Sequence, residues 1–308
     1  MRVLLVHNPS AGKADHSRHE LVDILRSAGH DAAYCSTKSD DFPGMLEESA
    51  ELVVIAGGDG TVRKVVTRLE RRETPLAILP LGTANNIARS LGVGGRTSEL
   101  IAGWREARRA PLDLGIAEWS GKSRTFVEAV GAGALAAITR DKVGGKLEGE
   151  KRLLAGRAAL RQRLKDEKVL DIGVEIDGRS IEGSWLVIEV LNIGNTGPSL
   201  PLGPRACPGD RALDLVALAD DRREDMRAWL KAPADGEPPV RTLRGSQVRL
   251  SWSGKPALRV DDKLLDIGKG PCEMDIRLQE EPLIVLLPQE RFAPLAGEAA
   301  GKRPLEDA

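Results

Sequence analysis

Leu52-Val53-Val54-Ile55-Ala56-Gly57-Gly58-Asp59-Gly60-Thr61 is an apolar run that empties into a glycine-rich turn. The five apolar residues read as a buried strand. Glycine lets another molecule approach the backbone closely. Downstream, Val62, Val65, Val66 and Leu69 recur at i, i+3, i+4 and i+7, which predicts an amphipathic helix over Val62 to Arg72. The turn therefore sits at a helix N-terminus, where free N–H groups and the helix dipole favour an anion. Asp59 places a carboxylate at the same spot. That combination points to phosphate held together with a metal ion or a reacting hydroxyl.

The same grammar extends on both sides. Arg2 to Val6, Ala32 to Cys35 and Pro75 to Leu79 read as further strands, and His16 to Ala28 as a helix stopped by Gly29. Short apolar strands alternating with helices predict an α/β domain built on a parallel sheet. Ligands gather at the carboxyl ends of such strands. Three loops fall there: His7 to Lys13, Gly57 to Thr61, and Pro80-Leu81-Gly82-Thr83-Ala84-Asn85-Asn86. Three small-residue loops at one edge constitute a site. For Asn85 and Asn86 the competing reading is local backbone hydrogen bonding at a helix start. His7 could touch a nucleotide.

From Leu112 the pattern changes. Arg124 to Val130, Val169 to Ile176, Trp185 to Leu191, Leu213 to Ala219, Gln247 to Trp252, Met274 to Leu278 and Pro282 to Leu287 read as strands, with turns such as Asp177-Gly178 between them. The expected organisation is an α/β domain over 1–111, a mostly β, sandwich-like domain over 112–290, and a loose tail over 291–308. One helix, about Arg152 to Lys165, interrupts the β domain. The 308 residues carry 41% hydrophobic and 30% charged residues and a net charge of −1. That balance gives no global pull toward nucleic acid, and 3% aromatics argue against a base-stacking surface. Cys35, Cys207 and Cys272 form no C-x-x-C pair and fit free thiols in a reducing compartment. The stretch Phe126 to Ile138 is too short to span a bilayer and contains Glu128. A cytoplasmic protein without a transmembrane segment is expected.

Taken together, Gly57–Thr61, Asn8-Pro9-Ser10-Ala11-Gly12 and Gly82-Thr83-Ala84-Asn85 resemble the nucleotide-binding motifs of the diacylglycerol kinase/sphingosine kinase family, in particular its soluble bacterial lipid kinases. The likeness continues through Pro111 to Gly115, Gly194-Asn195, Pro208 to Asp214 and Val260-Asp261-Asp262-Lys263, and covers about residues 2 to 290. It implies ATP across the three loops, with Asn8, Gly12, Thr37, Gly57, Gly58, Asp59, Gly60, Thr61, Gly82, Thr83 and Asn85 as candidate contacts. It implies Mg²⁺ bridging the phosphates, and a structural Mg²⁺ near Cys207, Asp210 and Ala212. The acceptor it implies is a lipid hydroxyl of diacylglycerol type, reached at a membrane surface.

Two positions depart from the family pattern. Arg63-Lys64 stand where the family usually has Asn-Glu, and Asp261-Asp262-Lys263 where it has Asp-Gly-Glu. The family's proposed proton acceptor is that second Glu. A lysine beside a triphosphate stays charged, so Lys263 reads as a phosphate ligand rather than a base. Asp59, Asp261 or Asp262 would then take the proton. Two alternatives stay open: a nucleotide- or lipid-binding regulator that has lost catalysis, and a kinase of NAD or another soluble metabolite. Between Arg140 and Lys168, ten basic residues face five acids. That stretch reads as a solvated helix face or as a contact for anionic lipid headgroups.

Overall fold

The computed structural model describes residues 1–11, 16–140, 147–268 and 271–289. Gly12 and the tail over 291–308 lie outside the described residues. Four parallel strands open the fold: β1 (Arg2–His7), β2 (Asp31–Ser36), β3 (Leu52–Gly57) and β4 (Leu76–Pro80), in the spatial order β2-β1-β3-β4. Between and after them run α1 (Arg18–Ser27), α2 (Phe42–Met45), α3 (Asp59–Val66), α4 (Asn86–Ser90) and α5 (Thr97–Gly103). Successive strand side chains point to opposite faces. Leu4, Val6, Val53, Ile55 and Ile78 pack under α3 and α4 on one face, while Val3, Leu5, Val54, Ala56 and Leu79 pack under α1 and α5 on the other. Every residue of β3 is buried, as befits a strand covered on both sides.

The helix expected over Val62 to Arg72 starts earlier and stops earlier, at Asp59 and Val66. Thr67 donates its hydroxyl to the Arg63 carbonyl at 2.8 Å, and the chain turns out of the helix there. Leu69 remains buried, now from a loop.

The second half is a sandwich of two antiparallel six-stranded sheets. One contains Gly115–Trp119, Lys122–Phe126, Ile172–Ile176, Arg179–Ser180, Gln247–Trp252 and Cys272–Leu278; the other contains Ala129–Gly133, Trp185–Leu191, Leu213–Ala219, Arg241–Gly245, Leu258–Val260 and Lys263–Leu264. Phe126, Val174, Ile188, Leu215, Leu250 and Ile276 fill the space between them. The strand expected over Arg124 to Val130 is broken at Val127-Glu128, and its two pieces enter different sheets. The N–H groups of Val127, Glu128 and Ala129 turn to the Asp261 carboxylate, at 3.3, 2.8 and 3.2 Å, and so leave the ladder. The helix expected near 152–165 spans Gly149–Arg163 and lays Leu160, with Leu164 just beyond it, onto the outer face of the second sheet.

Leu283–Leu287 is a strand, as read, but it leaves the sandwich. It pairs parallel with β4 and antiparallel with Arg108–Leu112, completing the first sheet. Among the described residues no helix is long and apolar enough to cross a membrane. Leu283 is fully buried against Leu112 and the α3 face. Leu283→Ala should therefore lower unfolding free energy by about 2–5 kcal/mol. Urea denaturation followed by circular dichroism measures this.

Candidate active site

The three loops converge at the carboxyl edge of the first sheet. Asn8 N donates to the Ala56 carbonyl and Leu81 N to the Gly57 carbonyl, each at 3.0 Å, so the backbones run side by side. Asn8 also reaches Thr61, Nδ2 to Oγ1, at 3.3 Å. The glycines are required by this crowding. A Cβ on Gly57 would lie 2.4 Å from Thr61 Oγ1, and one on Gly82 would lie 2.4 Å from the Gly58 Cα. At Gly60 the same atom would meet nothing within 4 Å, so the outer lip of the turn is open. The N–H groups of Thr61 and Val62 both go to the Gly58 carbonyl, at 2.8 and 3.1 Å, which closes the first turn of α3.

Asp59 stands at the first position of α3 and caps a different helix. Its Oδ1 accepts from the Ile87 N–H, in the first turn of α4, at 2.9 Å. Burial, then the negative charge of Glu128, push the Asp59 carboxyl up to about 6; the amides of Ile87 and Asn86 oppose that rise. Such a group stays ionised at neutral pH yet takes a proton more readily than an ordinary aspartate.

The third loop behaves differently from the other two. Asn85 adopts a left-handed conformation, φ 49°. Its Oδ1 accepts from Gly82 N at 2.9 Å, and its Nδ2 donates to the carbonyls of Pro80 at 3.1 Å and Gly82 at 2.9 Å. The side chain is spent on shaping its own loop, and the Gly82 amide is spent on it. Thr83 lies half-buried on the same loop. Thr37 is buried and receives the Lys64 ammonium on its carbonyl, while that ammonium also rests 4.5 Å over the Phe42 ring. Lys64 is thus held by the loop after β2. His7 is buried and meets the Tyr34 hydroxyl at 3.3 Å through Nδ1.

Across the seam, Asp261 and Asp262 face opposite ways. Asp261 is buried, its carboxylate occupied by the three amides that break the strand; burial and Glu128 raise it to about 6. Asp262 is exposed and forms an ion pair with Arg63 of α3, tying the hairpin turn to the first domain. Lys263 is 61% exposed and lies 3.8 Å from Asp262.

Around Cys207–Ala212 the protein satisfies itself. The Cys207 carbonyl accepts from Gly209 N at 2.7 Å and Asp210 N at 3.3 Å. Asp210 takes the Ala212 amide at 3.1 Å on one oxygen and pairs with Arg244 on the other. Next to it, Arg211 is bound to Asp113 at 2.9 Å. Among the described residues no group of three or more His, Cys, Asp or Glu is arranged to hold a metal ion. The structural Mg²⁺ expected here would use main-chain carbonyls and one carboxylate, and Arg244 holds one oxygen of that carboxylate, Asp210.

Sequence reading passed over Glu128. Its side chain accepts from Asn86 Nδ2 at 3.1 Å, Thr196 Oγ1 at 2.8 Å and Gly197 N at 3.0 Å. The one signal available was an acid inside an apolar stretch.

The Diacylglycerol kinase catalytic domain family model matches residues 2–117. A diacylglycerol kinase of Bacillus subtilis (strain 168) is 27% identical over 227 residues, 70% of this chain and 73% of that protein. A Pseudomonas aeruginosa protein named "Probable lipid kinase YegS-like" is 31% identical over 224 residues, 70% of this chain and 71% of that one. Among solved structures, a diacylglycerol kinase of Bacillus anthracis str. Sterne superposes with a TM-score of 0.67 at 20% identity, covering 94% of this chain and 97% of that one. Yeast NADH kinase, solved with NADH, shares the fold at a TM-score of 0.58 and 13% identity, over 93% of this chain and 83% of that one. The sequence relationships, with the glycine loops that carry them, make this chain a member of the diacylglycerol kinase family of bacterial lipid kinases.

Proposed function

We propose that the chain transfers the γ-phosphoryl group of ATP to a lipid hydroxyl at the seam between its two halves. The observation that carries this reading is Asp59: a carboxylate raised to about 6, lying at the meeting point of three loops whose glycines leave backbone close to the opening. The polyphosphate would lie over Gly57–Thr61 and the loop Asn8–Ala11, taking the Gly60 amide and the α3 dipole. Mg²⁺ would arrive with ATP and neutralise charge on the transferring group. In the transfer, the acceptor O–H bond breaks and its proton moves to Asp59. The acceptor oxygen bonds to the γ-phosphorus, and the bond to the bridging oxygen breaks to release ADP. Phosphoryl transfer leans chiefly on positioning and charge stabilisation, so one carboxylate of modestly raised pKa suffices.

The lipid side of the reading rests on the family and on one surface. Leu147 and Leu154 are 44% and 50% exposed, beside Lys151 and Arg152 at the start of the helix 149–163. Apolar and basic residues side by side suit the interface of an anionic bilayer. Peripheral membrane contact from the cytoplasm follows from that reading.

An assay with labelled ATP, Mg²⁺ and a panel of lipids, each in mixed micelles, tests the activity. Label should appear in at least one lipid carrying a free hydroxyl. Transfer to NAD or another soluble acceptor, with none to any lipid, would replace this reading with the soluble-metabolite one that the NADH kinase fold likeness keeps in view. Asp59→Asn should lower kcat by about 10²-fold or more, the usual range for a lost general base. The rate of the native chain should fall as pH drops below about 6, because Asp59 becomes protonated there and can no longer accept the acceptor's proton. Lys263→Glu should change kcat less than about threefold, since a mostly exposed surface pair contributes little. A large gain on that substitution would favour the impaired-regulator reading. Gly82→Ala forces a Cβ against the Gly58 backbone and should weaken ATP binding at least tenfold in calorimetry while the β sandwich stays folded.

A further inference from the structure

Glu128 occupies an expensive position. It is 8% exposed, at the break between Lys122–Phe126 and Ala129–Gly133. A buried acid costs free energy unless donors surround it, and an apolar or amide side chain of similar size avoids that cost. The donors here come from both halves of the molecule. Oε2 takes the Asn86 Nδ2 of α4, and Oε1 takes Thr196 Oγ1 and Gly197 N of the second half. Asn86 also reaches the Gly197 carbonyl at 3.1 Å. The next residue, Ile87, donates its N–H to Asp59. Two successive residues at the start of one helix are thus gripped by two different carboxylates, Glu128 and Asp59.

The surrounding charges are all identifiable. Asp59 approaches from α3, Asp261 from the hairpin turn, and Glu189 from the adjoining strand. Arg259 NH1 lies 3.9 Å from Glu128 Oε1, but its firmer bonds go elsewhere: NH2 to Glu189 at 2.7 Å and NH1 to the Asp261 carbonyl at 2.6 Å. Arg259 thus shares one positive charge among Glu128, Glu189 and the Asp261 backbone. What Glu128 holds in place is the start of α4.

We infer that Glu128 is a positioning residue for phosphoryl transfer: by locking the first turn of α4 against the Thr196–Gly197 segment, it fixes the Asp59 carboxylate where the acceptor hydroxyl arrives. The inference deepens the proposed function and rests on Asp59 as proton acceptor. Glutamine at 128 keeps the volume and one carbonyl oxygen, but it turns an amine toward either Asn86 or the Thr196–Gly197 pair, all of which donate. The grip on α4 is then lost on one side.

The test uses the full chain with Glu128→Gln, and Thr196→Val as a second variant that removes one donor to Glu128 and one acceptor of Arg259. Expected for Glu128→Gln is a kcat at least tenfold below native, with KM for ATP within threefold of native, and a smaller kcat loss of the same kind for Thr196→Val. In ¹⁵N-labelled protein the Ile87 amide resonance should move in both variants, while the Val248 amide in the sandwich core should not. A native kcat together with an unmoved Ile87 amide overturns the inference. So does a parallel loss of ATP affinity and kcat with a lowered melting temperature, which marks a purely structural role. If the native chain labels no lipid at all, the kinase reading falls, and the Ile87 resonance still decides whether Glu128 positions α4.

Discussion

A carboxylate taken out of water must find donors inside the protein, and the seam between the two halves holds four acids under that constraint: Asp59, Glu128, Glu189 and Asp261. One guanidinium, Arg259, is fully buried among them. Backbone amides answer the rest, from Ile87, from Val127 to Ala129, and from Gly197. The amides of Val127 to Ala129 lie where one strand breaks into two, Ile87 lies in a first helical turn where its N–H has no intrahelical partner, and Gly197 lies in a turn. The break at Val127-Glu128, the sharp start of α4 and the turn at Gly197 are therefore one solution to one electrostatic problem. Burial outweighs the donors enough to hold Glu189 near 7 and Asp59 and Asp261 near 6.

This arrangement explains how the chain accommodates basic residues where its relatives' pattern has other groups. Arg63 is paired across the seam with Asp262, and Lys64 is parked on Phe42 and the Thr37 carbonyl. Neither ammonium nor guanidinium is left loose beside Asp59. The same economy closes the Cys207–Ala212 loop, where Arg211 and Arg244 engage Asp113 and Asp210. Arginine suits both places because its planar fork matches a carboxylate and it is never deprotonated.

The first sheet and its three loops were legible because short apolar runs ending in glycine carry their meaning locally. Leu52–Gly57 and the turn behind it need no distant partner to be read. Asn85 was ambiguous for a local reason: a residue that can ligand a phosphate can equally bond its own loop, and the left-handed backbone it adopts is not written in residue type alone. The rest depends on distant partners. Phe126-Val127 and Ala129-Val130 look like one continuous strand until Asp261, well over a hundred residues later, takes the amides of Val127, Glu128 and Ala129. Glu128 looked like a blemish in an apolar stretch until Asn86 and Thr196 came to meet it. Leu283–Leu287 has an ordinary strand composition, and nothing in it specifies which sheet it joins.

That last strand bears on how the molecule is made. The strand between β4 and Arg108–Leu112 in the first sheet is supplied by residues that follow every described strand of the sandwich. While the ribosome works through the second half, β4 presents an unpaired edge and Leu76, Val53 and Leu112 lack a covering neighbour. Such edges invite intermolecular pairing. The first sheet therefore closes only once Leu283–Leu287 emerges, although its other strands are encoded far earlier.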